Sequence, residues 1–503
     1  MPGSLLQLVA VGSEDYYFIG NPQISFFKRV YVRHTNFSIE RLDLYNNGSR
    51  QFNLNGSKIF NFDIDTTYGD LLYYSTFHIK LPAIYADTNY QFRWIENLGE
   101  NIIEEANLFV NDHLIEKIDS GFTHIRNSMD INNNSKSIYN HITKNIETVY
   151  NPCVCGEYPY SSNISGYFTN ASGSPILNKH YSELPTIDCL DLYIPLAFYF
   201  NRIPELFVPL TLLRDSNVRI QIKLKPIHRL YTIGYPTEIV NGSGQVYYRH
   251  ESYHKNPEKS ILDFVEDKHF YLDCDARLYN FTIFLESVER SYFSNNTITQ
   301  SITTPIKYQY FGLNLHEKIK IENSDIVDNI FILPRRSDAI DRNQWTNYSI
   351  YDYDYLNIEN IFDKTDLSTL VHQWVHRKPS EIPFINATNI DYFDCPNIVE
   401  KFSVELDGNI LEDFEEPTFF YNNNKYESFK NDYLRDILVY KFSLSPLEYQ
   451  PSGHLNLGTV EKFALNFKFK DAKEDTIPYD FDLDIYLMVF KQIVYDTDSA
   501  IIF

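Results

Sequence analysis

The chain has 503 residues, too many for one hydrophobic core, so it is expected to divide into roughly two to four units of ~100–200 residues each. Hydrophobic residues at 43% and charged residues at 22% argue against wholesale disorder. The 44 Lys and Arg stand against 67 Asp and Glu, a net charge of −23, and no basic run exceeds Arg335-Arg336 or Arg377-Lys378, which argues against direct nucleic-acid binding. The 40 Tyr and 37 Phe, against 3 Trp, favour pleated, half-buried surfaces and an all-β reading. The 5 cysteines (Cys153, Cys155, Cys189, Cys274, Cys395) are odd in number and mostly scattered, which fits reduced thiols in a cytosolic setting better than a disulfide framework. No secretory signal is visible, and no run of ~18 apolar residues offers a membrane span, so no membrane insertion is expected.

In chain order, Gly20-Asn21-Pro22 is a turn signal that releases an extended aromatic run, Phe26 to Val32, and then a polar Arg33-His34-Thr35-Asn36 segment. Residues 1–25 read as an N-terminal arm. Further on, Phe109-Val110-Asn111-Asp112-His113-Leu114-Ile115-Glu116 is echoed by Glu405-Leu406-Asp407-Gly408-Asn409-Ile410-Leu411-Glu412. In each, an Asx-led dipeptide separates two short apolar strands, as a two-residue hairpin requires, and the echo suggests two similar halves. Period-two alternation recurs at 218–224, 438–444, 463–469 and 481–489, with Val218, Ile220, Ile222 and Leu224 on one face and Arg219, Gln221 and Lys223 on the other. The same pattern sets Phe481, Leu483, Ile485, Leu487 and Val489 against a wet face bearing Asp482 and Asp484. Strands with one apolar face need a second sheet to cover it, which implies sandwiches. Lys225-Pro226 ends the alternation at Leu224 and marks the expected boundary between halves. Long polar loops are expected at about 127–182, 232–258, 341–360 and 412–432.

Few residues suggest chemistry. His372 and His376 have the i, i+4 spacing of a zinc helix, but Gln373 stands where a general-base glutamate is needed, so surface histidines are expected. Cys153 and Cys155 lack a second pair at similar spacing and read as free thiols. Glu104-Glu105 and Glu415-Glu416 are adjacent, so on a strand they would point to opposite faces as solvated charge. No nucleophile elbow, phosphate loop or dinucleotide fingerprint is present. No catalytic, cofactor-binding or metal site is expected, and the chain reads as not an enzyme.

The segment Gly20 to Phe37 resembles the N-terminal signature of the double jelly-roll major capsid proteins of nucleocytoplasmic large DNA viruses. Thr67-Tyr68-Gly69-Asp70-Leu71-Leu72 with His78-Ile79-Lys80-Leu81-Pro82 is similar to the family's first outer strand. Asp191-Leu192-Tyr193-Ile194-Pro195-Leu196-Ala197-Phe198-Tyr199-Phe200-Asn201-Arg202 resembles its most recognisable internal segment. Leu285-Glu286-Ser287-Val288-Glu289-Arg290-Ser291 and Phe442-Ser443-Leu444-Ser445-Pro446 are similar to motifs of its second jelly roll, the former early in it and the latter before its last strands. These landmarks stand in family order, while 318–332 and 491–503 depart from the pattern. The resemblance implies an all-β fold of two consecutive eight-stranded jelly-roll β-sandwiches with long loop insertions: arm 1–25, first jelly roll 26–225, second jelly roll 226–503. It also implies a structural virion protein, a major capsid subunit forming homotrimers, the pseudo-hexagonal capsomers of an icosahedral shell. Its expected partners are neighbouring capsomers and minor capsid proteins, in a virion assembled in the host cytoplasm with the shell over an internal membrane. Arg33 and His34 are expected to satisfy backbone groups or bridge the two jelly rolls. A minor capsid paralogue or assembly scaffold of the same fold, or a carbohydrate-binding β-sandwich, are the alternatives.

Overall fold

The computed structural model describes the chain from Gly3 to Ile502, apart from 151–184, 349–397, 415–436, 471–479 and shorter stretches of up to six residues. Sixteen principal strands form two sandwiches of antiparallel sheets. The first contains β1 (Phe37–Tyr45), β2 (Lys58–Ile64), β3 (Leu71–Leu81), β4 (Ile103–Val110), β5 (His113–Asp119), β6 (Leu190–Pro195), β7 (Val218–Leu224) and β8 (Ala276–Leu285). The second contains β9 (Ile298–Leu313), β10 (His316–Ile321), β11 (Ile326–Arg336), β12 (Val399–Leu406), β13 (Asn409–Phe414), β14 (Leu438–Lys441), β15 (Phe463–Phe469) and β16 (Phe481–Asp496). The first pair of sheets runs β1-β8-β3-β6 and β2-β7-β4-β5; the second runs β9-β16-β11-β14 and β10-β15-β12-β13. Adding eight to every label of the first sandwich gives the second, so one jelly-roll path is laid down twice.

The period-two pattern explains why these segments are strands. Along β7 buried and half-buried residues alternate without a break, and Ile220 and Ile222 face a core that includes Phe60, Phe62 and Phe77. Burying each such aromatic or aliphatic side chain stabilises the fold by about 1.5–3 kcal/mol. Ile319, Phe402, Leu465 and Ile485 help to fill the second core in the same way.

Strand pairing corrects the expected boundary at 225. β8 lies beyond it, yet pairs with β1 and β3, so the first sandwich closes only at Leu285. Lys225-Pro226 does stop β7, but the chain then enters an insertion: strands Tyr231–Val240 and Val246–Tyr253 form a hairpin that pairs with Gln91–Trp94 of the first sandwich. The helix α1 (Ser120–Asp130) opens another insertion, and α2 (Ser287–Asn295) joins the sandwiches. Asp70, buried on the first sandwich, holds α2 through Arg290 at 2.8 Å and the Leu285 amide at 2.7 Å. The segment read as early in the second jelly roll is therefore this joint.

The N-terminal run departs from expectation as well. Among the described residues no strand precedes Phe37, and Phe26, Phe27, Tyr31 and Val32 are exposed. An extended aromatic run becomes a strand only where a partner edge and a covering layer exist, and the fold supplies neither here.

The two echoed hairpins do occupy corresponding places, β4–β5 and β12–β13. Asn111 and Asp112 have φ of 49° and 64°, Asp407 and Gly408 of 48° and 84°, the left-handed pair that a right-twisted two-residue hairpin demands. Each turn is tied to the strand beside it in the same manner. Asn111 N donates to Asn217 O at 2.9 Å, and Asn111 Oδ1 accepts from Asn217 N at 2.9 Å. Asp407 N donates to Lys462 O at 2.8 Å, and Asp407 Oδ1 accepts from Lys462 N at 2.7 Å. Open space surrounds Gly408 where a Cβ would sit, so Gly408→Val tests backbone strain alone. It is expected to lower unfolding stability by about 1–2 kcal/mol in denaturant titration.

Candidate functional site: the seam between the sandwiches

β11 and the 481–489 part of β16 are buried on both faces, in β16 against the expectation of one wet face. Ile330, Ile332, Leu483, Ile485 and Leu487 enter the second core, while Phe331, Leu333, Tyr486 and Met488 enter the core of the first sandwich. The outer face of one sheet thus serves as the floor of a neighbouring domain. Asp482 and Asp484 lie on that face and are buried with it. Tyr486 and Met488 interrupting the polar positions were the available signal, since strands covered on both faces lose clean alternation.

A charge cluster lies in the seam, Asp484 and Arg335 buried and Asp119 and Lys307 half-buried. Asp119 ends β5 and caps α1, its carboxylate accepting from the Phe122 amide at 2.9 Å. The same carboxylate takes the Lys307 ammonium of β9 at 2.6 Å and the Tyr486 hydroxyl of β16 at 2.8 Å. Lys307 also reaches Asp484 at 3.2 Å, and Asp484 meets Arg335 of β11 at 2.5 Å. Burial pushes the Asp119 pKa up, but Lys307, the Phe122 amide and Tyr486 outweigh it and hold the carboxyl below its usual value. Nearby the Tyr199 and Tyr495 hydroxyls bond to each other across the seam. Gln300 donates to Phe207 O at 2.9 Å, Asn343 to Tyr231 O at 2.9 Å, and Trp345 to Arg229 O at 2.9 Å, so polar side chains of the second sandwich satisfy backbone carbonyls of the first.

Two other buried ionisable groups flank the cluster. Lys225 donates to Asn101 O and Ser120 Oγ, each at 2.8 Å, and stands 4.1 Å from the Trp345 ring centroid. Burial lowers its pKa to about 7, with Asp119 opposing and Arg335 and Lys307 reinforcing. Glu116 accepts from the Tyr199 amide at 2.9 Å, and burial raises its pKa to about 7 against that bond and the charge of Arg126.

The residues singled out in the sequence lie elsewhere. His34 is exposed, its Nδ1 2.7 Å from Thr35 O and its ring 6.1 Å from Phe37, and it bridges no sandwiches. Glu104 and Glu105 share a side: a bulge pairs Lys223 with Glu105 and Leu224 with Ile103, so Lys223 contacts both acids, at 2.8 and 3.4 Å. Cys189 is a free, exposed thiol. His372, His376, Cys153, Cys155, Cys274, Cys395, Glu415 and Glu416 lie outside the described residues. Among the described residues there is no group of three or more His, Cys, Asp or Glu placed to hold a metal. None of their helices is long and apolar enough to cross a membrane.

Two jelly rolls in tandem, sharing a buried seam, define a double jelly-roll protein. In sequence the chain is similar to major capsid proteins of large DNA viruses, and in fold to solved capsid proteins. Its residues 25–248 match the family described as the N-terminus of the major capsid protein. It is 32% identical over 237 residues to Capsid protein 1 of Acanthamoeba polyphaga mimivirus, covering 46% of this chain and 36% of that one. It is 25% identical over 474 residues to the major capsid protein of Pyramimonas orientalis virus, covering 94% and 93%. The alignments span 36–42% of the first curated relatives' own lengths. Among solved structures, VP54 of PBCV-1 superposes with a TM-score of 0.65 at 16% identity, over 95% of this chain and 99% of that one. The Faustovirus major capsid protein does so at 0.61 and 12%, over 94% and 93%.

Removing the Asp119 carboxylate leaves Lys307 only the shared Asp484 and uncaps α1, so Asp119→Ala is expected to lower stability by about 2–4 kcal/mol in denaturant titration. Glu116 tests the pH linkage. Its folded pKa, raised from 4.5 to about 7, makes the native state bind more protons than the unfolded one between those values. Stability should therefore fall from pH 4.5 to 7, and Glu116→Gln should flatten that part of the profile.

Proposed function

We propose that the chain is a structural virion protein, a major capsid subunit whose homotrimers form pseudo-hexagonal capsomers of an icosahedral shell. The observation that carries this reading is the doubled jelly-roll path locked by the buried seam, which turns two sandwiches into one rigid block. Near full-length similarity to a protein named major capsid protein supports it. In this reading the first jelly roll runs over 37–285, the second over 298–502, and α2 joins them. The role is architectural rather than catalytic. A net charge of −23 disfavours direct contact with the genome, leaving neighbouring capsomers, minor capsid proteins and a shell over an internal membrane as its setting, with assembly in the host cytoplasm.

The segment before β1 fits an arm that reaches neighbouring subunits. Its apolar side chains, Leu8, Phe18, Phe26 and Phe27 among them, are exposed, and contiguous apolar surface marks an interaction site. Light scattering of the purified protein should give about three times the 59.3 kDa subunit mass, with hexagonal outlines in negative stain. Deleting 2–25 should leave trimers folded and impair shell assembly; normal particles from that deletion would refute the arm's role.

A further inference from the structure

A half-enclosed cavity of about 170 Å³ lies where the insertion after β5 meets the second sandwich. Its walls come from both sides of the seam. α1, the turn Leu98–Asn101 and the helix Asn133–Ile142 form one wall, and Thr346, Tyr348 and Ile437 the other. Asn97 Nδ2 donates to Thr346 Oγ1 at 3.1 Å and ties the two walls together. An apolar cavity of about 150 Å³ takes a benzene ring, so this one has room for a single six-membered ring.

The lining is polar and held in place. Glu100 is buried, and its carboxylate accepts from His124 Nδ1 at 2.7 Å, Tyr139 Oη at 3.0 Å and Asn127 Nδ2 at 3.2 Å. These bonds use up the carboxylate and fix the His124 ring, whose remaining polar atom is Nε2. Four polar groups of the lining are left over. His124 Nε2, Ser128 Oγ, the Asn140 amide and Tyr348 Oη make no hydrogen bond to the described residues, although Ser128 is 9% and Tyr348 3% exposed. Polar groups this enclosed are ordinarily satisfied by protein, water or a bound molecule. Charge narrows the choice of molecule. Glu100 puts a carboxylate in the wall and Lys136 an ammonium, so an anion would face the first and a cation the second. The unused groups are an imidazole nitrogen, a hydroxyl, an amide and a phenol. A ring bearing several hydroxyls answers all of them, because each hydroxyl both donates and accepts. Tyr139 and Tyr348 supply apolar area for the carbon face of such a ring.

We propose that this cavity binds a neutral polyhydroxylated ring, a free monosaccharide or the terminal residue of a glycan, through His124, Ser128, Asn140 and Tyr348. Because these residues come from both walls, the bound ring braces the seam between the sandwiches. The Glu100 network positions His124 for this contact.

The test is calorimetric titration of the full chain with D-glucose, D-galactose, D-mannose and D-xylose, each also as its methyl glycoside, with inorganic phosphate and magnesium as charged controls. At least one sugar should bind saturably, one to one, in the millimolar range or tighter. It should also raise the unfolding midpoint, since only the folded walls bind it. Tighter binding of the methyl glycoside supports the site as a receptor for a glycan end, and tighter binding of the free sugar supports it as a monosaccharide site. Tyr348→Phe with Asn140→Ala removes two of the unused groups and leaves the Glu100 network intact. That variant should bind the sugar about tenfold more weakly or worse while still melting cooperatively. Should it fail to fold, Ser128→Ala is read in the same way. Absence of saturable binding by every sugar would overturn the proposal. So would unchanged affinity in a folded variant, or tighter binding of phosphate or magnesium than of any sugar.

Discussion

The structure depends on two strands that are buried twice. β11 and β16 send Ile330, Ile332, Leu483 and Ile485 into one core and Phe331, Leu333, Tyr486 and Met488 into the other. Neither sandwich can lose the other without exposing a sheet face built as interior. Hydrophobic area sets the strength of this union, and the charge cluster sets its register. An apolar seam could slide, whereas Asp119, Lys307, Asp484 and Arg335 satisfy one another in a single alignment and leave buried charge in any other.

Duplication followed by unequal burial explains much of the chemistry. The same path, the same left-handed hairpin turn and the same double hydrogen bond to the adjoining strand occur in both halves. Yet Glu116 is enclosed beneath the neighbouring sandwich, whereas its counterpart Glu412 stays at the surface. Burial raises the pKa of each, to about 7 only for Glu116. Identical local structure thus acquires different electrostatics from what is packed against it. The perturbed pKa values fall at a packing seam, where burial raises Glu116 and lowers Lys225 while Lys307, the Phe122 amide and Tyr486 hold Asp119 down.

Much of the fold was legible because β structure writes itself with a period of two. The alternation over 218–224 and 463–469 identified strands that bury one face, and the paired hairpin motifs located the same corner of both sandwiches. Other elements were not legible. Nothing local tells that β8, after an insertion containing its own hairpin, returns to pair with β1 and β3, because those partners lie far away in the chain, Phe37 opposite Leu285 and Ile79 opposite Ala276. The bulge that turns Glu104 to the side of Glu105 is a property of two strands together. The Phe26 to Val32 run has strand composition without a strand, since it lacks an edge to join.

By itself the sequence determined an all-β chain of two similar halves, acidic, with its family landmarks in order. These follow from local propensity and side-chain alternation, which each segment carries alone. Tertiary structure decided where the first sandwich ends, that Asp482 and Asp484 are interior, and that Asp119, Lys307 and Tyr486 meet. Those outcomes depend on which surfaces are covered, and covering is a relation between segments far apart in the chain.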